Sequence, residues 1–580
     1  MIGAVIESDI AVYVTVDALF PGQADTEAAL MAALAPLSRD DTLFTCARIN
    51  AVVSGFAPER SLHERQTAAV SMLCSREQKM ALSRFAARHG GPNRVVVFFR
   101  GQMLELSRWV AIHCKNRPND GETFADANVC SAFVRAALIA SALWQRRLFG
   151  TDGFIAGRNP REQTRRALGA IRKSVEEGNQ TSHPGVSTSR GWLLFSRYLP
   201  AHLPAFDTLF EQTTGLTLRQ YFVSAFAILD RAFSDCPEAK RIFATDYVRG
   251  DTPFRGTFAK FIALQSQSPD DWSCRLQSAP NDSGYRSLRE HPIFSFNANR
   301  SVIFDPTFYL DSLTASLLFH VRAAGIPINR LFGAFGYAFE DYARDLLRQR
   351  FPDEGGLLHR RLRCGVCGVN EGGETFEVDA IVNDITAIIV FEMKATWIKE
   401  ENVLASDPEV FLNEVRSRYG HVADSPERPK AVAQLARSIG ALVRHEWSGP
   451  DREYAHVRTV YPVLTTFDAR MGVPGMGQFL DEEFRERLGP IPSDVFVHRL
   501  IVLTISDLEH LVSGIESLSL REFLAANSAA DPERVGSVHN FIATSAYLNQ
   551  VRVSPLLASL GEEFMATVRA ELFSDTTREC

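Results

Sequence analysis

Two stretches of the chain, Phe376-Glu377-Val378-Asp379-Ala380-Ile381-Val382 and Ala387-Ile388-Ile389-Val390-Phe391-Glu392-Met393-Lys394, decide how we interpret its fold. Both are rich in β-branched and aromatic residues, which predicts two buried strands. Asn383-Asp384 between them is a tight-turn signal, so we expect an antiparallel hairpin. The second strand ends in Glu-Met-Lys, and charged residues at the end of a buried strand are costly unless they serve a purpose.

The spacing of the charged residues predicts that they meet on one face of the hairpin. Side chains alternate along a strand, so Glu392 and Lys394 point to the same face. A two- or four-residue turn would pair Asp379 with Ile388 or Val390, which share that face. Two carboxylates that converge at a strand end form an all-oxygen site suited to Mg²⁺ or Mn²⁺.

Such a site could hydrolyse a phosphodiester, because the ion neutralises phosphate charge and activates water. Lys394 would position the attacking water or stabilise charge in the transition state. Its role as a general base stays open, because burial lowers the pKa of a lysine while nearby carboxylates raise it. The Glu-x-Lys pattern alone carries little information, since Glu77-Gln78-Lys79 and Glu238-Ala239-Lys240 also contain it. Only the third instance follows an aspartate-bearing strand.

This pattern resembles the PD-(D/E)xK nuclease superfamily, which shares the restriction-endonuclease-like fold. The resemblance implies that Asp379 and Glu392 bind Mg²⁺ or Mn²⁺ and that Lys394 is catalytic. Val378 stands where the family name has proline. The resemblance covers about residues 330–510 and explains nothing before them.

Two helices add candidate site residues by the same resemblance. The segment Gly336-Tyr337-Ala338-Phe339-Glu340-Asp341-Tyr342 resembles the first core helix of the family, which makes Glu340 a third metal-side acid, with Asp341 as its competitor. The segment Lys430-Ala431-Val432-Ala433-Gln434-Leu435 resembles the helix after the Glu-x-Lys strand, which implies a catalytic role for Gln434. An ordinary amphipathic helix would show the same pattern.

Several basic residues are candidate contacts to nucleic acid. Lys430 lies on the same helix face as Gln434. The run His359-Arg360-Arg361-Leu362-Arg363 places three arginines just before the hairpin, where we expect phosphate contacts, although a solvated strand edge gives the same run. Arg344 and Arg348 share a helix face with Glu340 and could pair with the acids or with substrate. We expect Trp397 to be a packing residue.

Composition limits the class of protein. The chain has 580 residues, which predicts roughly two to four domains. Its net charge of -7 argues against a protein that coats DNA without specificity. Nine scattered cysteines and a start without a signal peptide predict a cytoplasmic protein. Ser131 to Trp144 is apolar but shorter than the ~20 residues of a membrane span, so we expect no membrane association.

The order of patterns predicts a multidomain α/β protein with a mixed sheet. We expect a helix-rich N-terminal region of unknown role (1–290), a connecting segment and helix (291–325), a nuclease domain (326–515) and a helical C-terminal tail (516–580). Residues 268–290 are polar and turn-rich, and we interpret them as a linker.

The predicted function is hydrolysis of nucleic acid, with DNA favoured over RNA because the superfamily mostly cuts DNA. The resemblance extends to bacterial restriction and phage-defence effectors, and it implies a second copy or a defence-system protein as partner. Two alternatives stay open. One is a non-catalytic nucleic-acid-binding or scaffold protein with the nuclease fold. The other is a helical interaction protein without a hairpin at 374–394.

Overall fold

The structure is a computed structural model. The residues that it describes are a few within 165–172, Gly373, and the ranges 12–54, 61–116, 126–149, 184–233, 253–279, 285–297, 300–314, 316–351, 359–369, 375–405, 407–420, 431–446, 454–514, 519–530, 537–544 and 554–573.

Helices make up most of the described chain. In the first half they are α1 (Val16–Leu19), α2 (Glu27–Leu34), α3 (Arg39–Val53), α4 (Leu62–Leu73), α5 (Arg76–Arg88), α6 (Arg100–His113), α7 (Ala127–Phe149), α8 (Pro184–Leu193), α9 (Leu199–His202), α10 (Phe206–Thr214), α11 (Leu218–Phe233), α12 (Pro253–Gln265), α13 (Pro269–Ser278) and α14 (Tyr285–Glu290). In the second half they are α15 (Pro306–Ser312), α16 (Ser316–Arg322), α17 (Ile328–Arg348), α18 (Glu400–Val403), α19 (Pro408–Tyr419), α20 (Ala431–Val443), α21 (Met476–Leu488), α22 (Ile505–Gly514), α23 (Leu520–Ala530), α24 (Val538–Thr544) and α25 (Pro555–Phe573).

The strands form three sheets. They are β1 (Val12–Tyr13), β2 (Val95–Val96), β3 (Ser266–Gln267), β4 (Ile293–Asn297), β5 (Arg300–Ile303), β6 (His359–Val369), β7 (Thr375–Asp384), β8 (Ala387–Lys394), β9 (Thr459–Thr466), β10 (Phe496–Val497) and β11 (Ile501–Thr504). The largest sheet has the order β10-β9-β8-β7-β6, and β11 also pairs with β9. Its β6, β7 and β8 are antiparallel neighbours, whereas β8 and β9 are parallel. The molecule is therefore a helix-rich α/β protein with a mixed sheet, as expected.

The hairpin forms, but its predicted turn and register are wrong. Asp384 pairs with Ala387, so the turn is Ile385-Thr386. Ile385 has φ 58°, a left-handed conformation that favours glycine and that the sequence did not indicate. Ile381 pairs with Val390, and the ladder ends where Ala380 pairs with Phe391, so Asp379 and Glu392 are the next residues of the two strands. This register differs by two residues from the nearer of the predicted ones, so the paired residues Ile381 and Val390 keep their predicted face.

Each face of the large sheet is covered by helices. On one face, Phe335 and Phe339 of α17 pack in a core with Phe391 of β8. On the other face, Leu435 of α20 packs in a second core with Val390. Central strands buried on both faces explain the continuous apolar run of β8.

The linker predicted over 268–290 is wrong. Residues Pro269–Ser278 form α13, whose Trp272 is fully buried. The polar start of this stretch is a capping box, in which the Ser268 hydroxyl accepts from the Asp271 amide and the Asp271 carboxylate accepts from Ser268. Serine, proline and aspartate, taken as turn signals, here begin a helix.

Two other expectations need correction. The apolar periodicity of the sequence predicts a single helix from Asp311 to Ala324, but the structure has two shorter helices, α15 and α16. The polar composition of residues 179–190 predicts a loop, but the chain is helical from Pro184 onward. The sequence Asn159-Pro160-Arg161-Glu162 predicts a helix start, which lies outside the described residues.

The boundaries expected between regions are crossed by the hydrophobic core that includes α17. This core also takes residues of α8 to α12, such as Leu193 and Phe261, and of α25, such as Phe564. The division into 1–290, 291–325, 326–515 and 516–580 stays a prediction.

Helix α7 contains the one candidate membrane span found among the described residues. The window Ala127–Arg147 is long and apolar enough to cross a bilayer by length and composition, and half of it is buried inside the protein. Phe133 and Ile139 of this helix belong to the core of the N-terminal half. A core helix passes the same test.

Candidate active site

The C-terminal end of β8 brings a buried acid and an amine together. Glu392 is fully buried, and Lys394, two residues later, is half-buried. Lys394 Nζ lies 2.7 Å from Glu392 Oε1. Neither carboxylate oxygen of Glu392 has a well-oriented hydrogen bond within the described part of the chain. The contact with Lys394 is therefore a close approach of charged groups without hydrogen-bond geometry, at a carboxyl that the fold buries completely.

Asp379 joins these two residues through the backbone. Its Oδ2 accepts a 2.6 Å hydrogen bond from the amide of Met393, the residue between Glu392 and Lys394. The aspartate is itself 4% exposed. This bond ties the middle of β7 to the C-terminal end of β8 and brings the Asp379 carboxylate to the backbone between Glu392 and Lys394.

Strand β7 changes face at Asp379. Ala380 belongs to the core beneath α17, whereas Val378 belongs to the core beneath α20. Residues two apart point to the same side of a regular strand, so β7 is twisted between them. On β6 the facing position is Gly365, whose φ of +59° requires glycine.

Helix α17 adds a third acid and an arginine. Arg344 Nη2 lies 3.4 Å from Glu340 Oε2 and 3.6 Å from Asp379 Oδ1. Arg344 Nε also donates to the backbone oxygen of Asp379 at 3.3 Å. Arg344 therefore ties the helix acid to the strand acid. Arg348, one turn further along, pairs with Asp345 at 2.9 Å.

The pKa values of the acids reflect burial first and the crowding of negative charge second. Burial raises the pKa of Glu340 to about 7, and the charge of Asp379 adds to this. Burial also raises the pKa of Glu392 to about 8, against the opposing effect of Lys394. Burial alone would lower the pKa of Lys394, but the charges of Glu392 and Asp379 outweigh it and hold that pKa above its usual value. Lys394 is thus a cation, which argues against its use as a general base.

The side chains present fit a hard divalent cation in chemistry. Glu340, Asp379 and Glu392 supply only carboxylate oxygens, and those of Glu392 are buried without hydrogen bonds. A divalent cation would favour the ionised forms of Glu340 and Glu392, whose pKa values burial raises. Among the described residues, no three metal-ligating side chains are grouped closely enough to hold an ion as they stand.

The other predicted site residues are placed less closely. Gln434 is half-buried on α20, and no hydrogen bond links it to the acids in the described part of the chain. Arg361 and Arg363 are half-buried on the edge strand β6, opposite Asn383 and Ile381. Arg360 lies on the same strand, and its side chain is outside the described residues. Lys430 is also outside them.

Two residues distant in sequence hold the segment after Lys394, and sequence analysis missed both. Asp468 Oδ2 accepts from the amide of Ile398 at 2.8 Å, and the hydroxyl of Tyr419 donates to the backbone oxygen of Thr396. No local motif marks either residue, because Tyr419 contacts a residue 23 positions away and Asp468 contacts one 70 positions away. Trp397 stacks on Phe335 with ring centroids 5.1 Å apart, which confirms its packing role.

What this site can do is argued from its own side chains, because comparison with known proteins adds no relative. No family model matches the chain, and no curated protein or solved structure matches it either.

Proposed function

We propose that this chain is a Mg²⁺- or Mn²⁺-dependent nuclease that hydrolyses phosphodiester bonds, with DNA as the favoured substrate. The observation that carries the proposal is the bond from Asp379 to the backbone between Glu392 and Lys394. This bond, together with the contact between Lys394 and Glu392, supports a site shared by two acids and an amine. Lys394 and Arg344 supply two positive charges to three carboxyls, so a divalent cation would add positive charge where the acids outnumber the cations.

Each residue has a proposed role. Asp379 and Glu392, with Glu340 from α17, would hold the ion, which when bound neutralises phosphate charge and makes water a better nucleophile. Lys394 is protonated and would stabilise the negative charge that develops on the phosphate. Arg344 would keep Glu340 and Asp379 oriented.

The choice of DNA, the restriction-endonuclease-like core and a role in bacterial restriction or phage defence depend on the family resemblance. The overall charge of -7 fits an enzyme that recognises a specific site better than one that binds nucleic acid everywhere. A second copy or another defence protein is the partner we propose.

A cleavage assay tests the proposal. Wild type and Lys394→Ala are incubated with single- and double-stranded DNA and RNA in Mg²⁺, Mn²⁺ or EDTA. We expect cleavage by wild type only, abolished by EDTA, with a loss of at least about 100-fold in the variant, as for removal of one group that stabilises transition-state charge.

The matched control is Lys79→Ala. Lys79 belongs to Glu77-Gln78-Lys79, which has the same Glu-x-Lys spacing but lies exposed on helix α5. This variant should cut like wild type. Equal cutting by Lys394→Ala would remove the catalytic assignment, and binding of nucleic acid without cleavage by wild type would favour the non-catalytic alternative.

A further inference from the structure

Helix α17 carries a row of side chains that leads from the acid pocket to solvent. Arg330, Tyr337 and Arg344 are seven residues apart, which is about 20° short of two helical turns and about 10.5 Å along the axis. They therefore lie almost in line on one face. Arg344 is at the pocket, where it contacts Glu340 and Asp379.

The middle of the row is an exposed aromatic ring. Tyr337 is 59% exposed, although its neighbours Ala338 and Phe339 are buried. One side of the ring is supported by His202 of α9, with ring centroids 5.5 Å apart and an interplanar angle of 33°. The ring is thus ordered by one partner while much of it stays accessible to another.

Asp341 connects this aromatic pair to the pocket. His202 Nε2 lies 2.7 Å from Asp341 Oδ2, and Arg344 Nη1 lies 3.4 Å from Asp341 Oδ1. Glu340, the proposed metal-side acid, is three residues from Tyr337 and so less than one turn away. Asp341, the alternative to Glu340 as the metal-side acid, instead contacts both His202, which supports the Tyr337 ring, and Arg344 at the acid pocket.

The outer end of the row is cationic and open. Arg330 is exposed, and no ion pair joins it to another residue of the described chain. Gly333, between Arg330 and Tyr337, is exposed, and a Cβ there would meet no atom within 4 Å. The surface beside Tyr337 therefore has room for a flat ligand, and a cation stands beyond it.

We propose that the row of Arg330, Tyr337 and Arg344 binds a single strand of nucleic acid that leads into the acid pocket. This inference rests on the proposed nuclease function and specifies its substrate. A base next to the scissile phosphate stacks on Tyr337, and Arg330 contacts a phosphate roughly three nucleotides further along, at a stacked rise of ~3.4 Å. Only an unpaired base offers a free face to an aromatic side chain, so the strand must be single or locally opened.

Binding without cleavage tests this inference. Fluorescence anisotropy in EDTA measures the affinity of a short labelled oligothymidylate for wild type, Tyr337→Phe and Tyr337→Ala. We expect Tyr337→Ala to weaken binding by about 5- to 150-fold, the loss typical of one stacked base. Tyr337→Phe keeps the ring and should bind like wild type, and the single strand should bind more tightly than its duplex.

Phe496→Ala is the matched control. Phe496 is 61% exposed and also contacts a histidine, His498, at 4.7 Å. It pairs with Thr459, which pairs with Ala387, so it lies at the opposite end of β8 from Glu392. This variant should bind like wild type.

The outcomes separate the inference from the nuclease proposal. If wild type cleaves but Tyr337→Ala binds the single strand like the Phe496 control, the row is not a binding track and the nuclease assignment stands. If wild type never cleaves but Tyr337→Ala still loses affinity, the row is a binding site for a single strand and the catalytic assignment fails. If the duplex binds more tightly than the single strand, and Tyr337→Ala does not weaken its binding, the proposed single-stranded occupant is wrong.

Discussion

At the scale of single residues, Glu392 is notable because its carboxylate oxygens are buried without hydrogen bonds in the described part of the chain. Its carboxyl is fully buried, and burial raises its pKa to about 8. The unfolded carboxyl titrates near its ordinary value of about 4.3. Between these values the folded protein holds a proton that the unfolded chain has lost, so the stability of the metal-free protein falls as pH rises through this window.

We therefore expect the melting temperature in EDTA to drop between about pH 5 and pH 8 because of Glu392. Glu392→Gln, which cannot ionise, should show a clearly smaller dependence by thermal denaturation across the window, and the part that remains comes from Glu340, whose pKa burial raises to about 7. Glu401→Gln, at a carboxylate whose side chain is 75% exposed, should retain it. A steep fall in both variants would show that Glu392 is not its source.

Substitution of Arg344 should disturb the pocket while leaving all three proposed metal ligands in the chain. Arg344→Ala frees Glu340 and Asp379 from their shared cation, so cleavage should fall by about 10- to 100-fold, the range for loss of an outer-shell partner. Arg344→Lys should recover only part, because an ammonium cannot replace the fork of a guanidinium. Cleavage rates at saturating Mg²⁺ check this, with Arg348→Ala as the control. Equal loss in both variants would contradict a specific role.

At the scale of elements, the twist of β7 at Asp379 depends on Gly365 of β6. Gly365→Ala would place a side chain at φ +59°, at a cost of roughly 1–2 kcal/mol. We expect a loss of cleavage as well, because the strand relaxes and moves Asp379. Gly373→Ala has the same strain at φ +78° but lies before β7, so urea unfolding should show similar destabilisation with cleavage retained. Retained cleavage in Gly365→Ala would separate the twist from function.

The hairpin could be predicted because its evidence is local. Two apolar runs with a charged end specify β7 and β8, and the alternation of side chains specifies the shared face. The register could not be predicted, because Asn383-Asp384 remains in strand while Ile385 takes the left-handed turn position. Helix α13 was missed for a related reason, since its capping residues are also turn formers.

The rest of the site depends on contacts between distant parts of the chain. His202 reaches Asp341 across 139 positions, and Asp468 reaches Ile398 across 70. Such pairs leave no periodicity or motif in a single sequence. Arg344 is the exception, because its spacing of four from Glu340 on a helix indicated a contact that the structure contains.

At the scale of the whole molecule, a buried ion pair joins the N-terminal half to the part of the chain that holds the candidate site. Arg190 of α8 donates to both oxygens of Glu509 of α22 at 2.6 Å, and Tyr342 of α17 donates to Glu509 Oε1 at 2.6 Å. Removing one partner of a buried pair leaves an uncompensated charge. Arg190→Met should therefore lower the free energy of unfolding by about 3–5 kcal/mol.

Urea denaturation followed by circular dichroism measures this loss. Arg286→Met is the control, because its pair with Glu290 is exposed and contributes at most about 1 kcal/mol. Glu509→Gln should also destabilise the protein, because it leaves the buried guanidinium of Arg190 without its counter-charge. If Arg190→Met is no worse than the control, the two halves are not joined through this pair.

The central claim is that Asp379 and Glu392 share a divalent cation beside Lys394. Anomalous diffraction from crystals soaked in Mn²⁺ tests it most directly. We predict a manganese peak within coordinating distance of carboxylate oxygens of both acids, and its loss in Glu392→Gln. Bound Mn²⁺ elsewhere only, with Glu392 still paired solely to Lys394, would contradict the account.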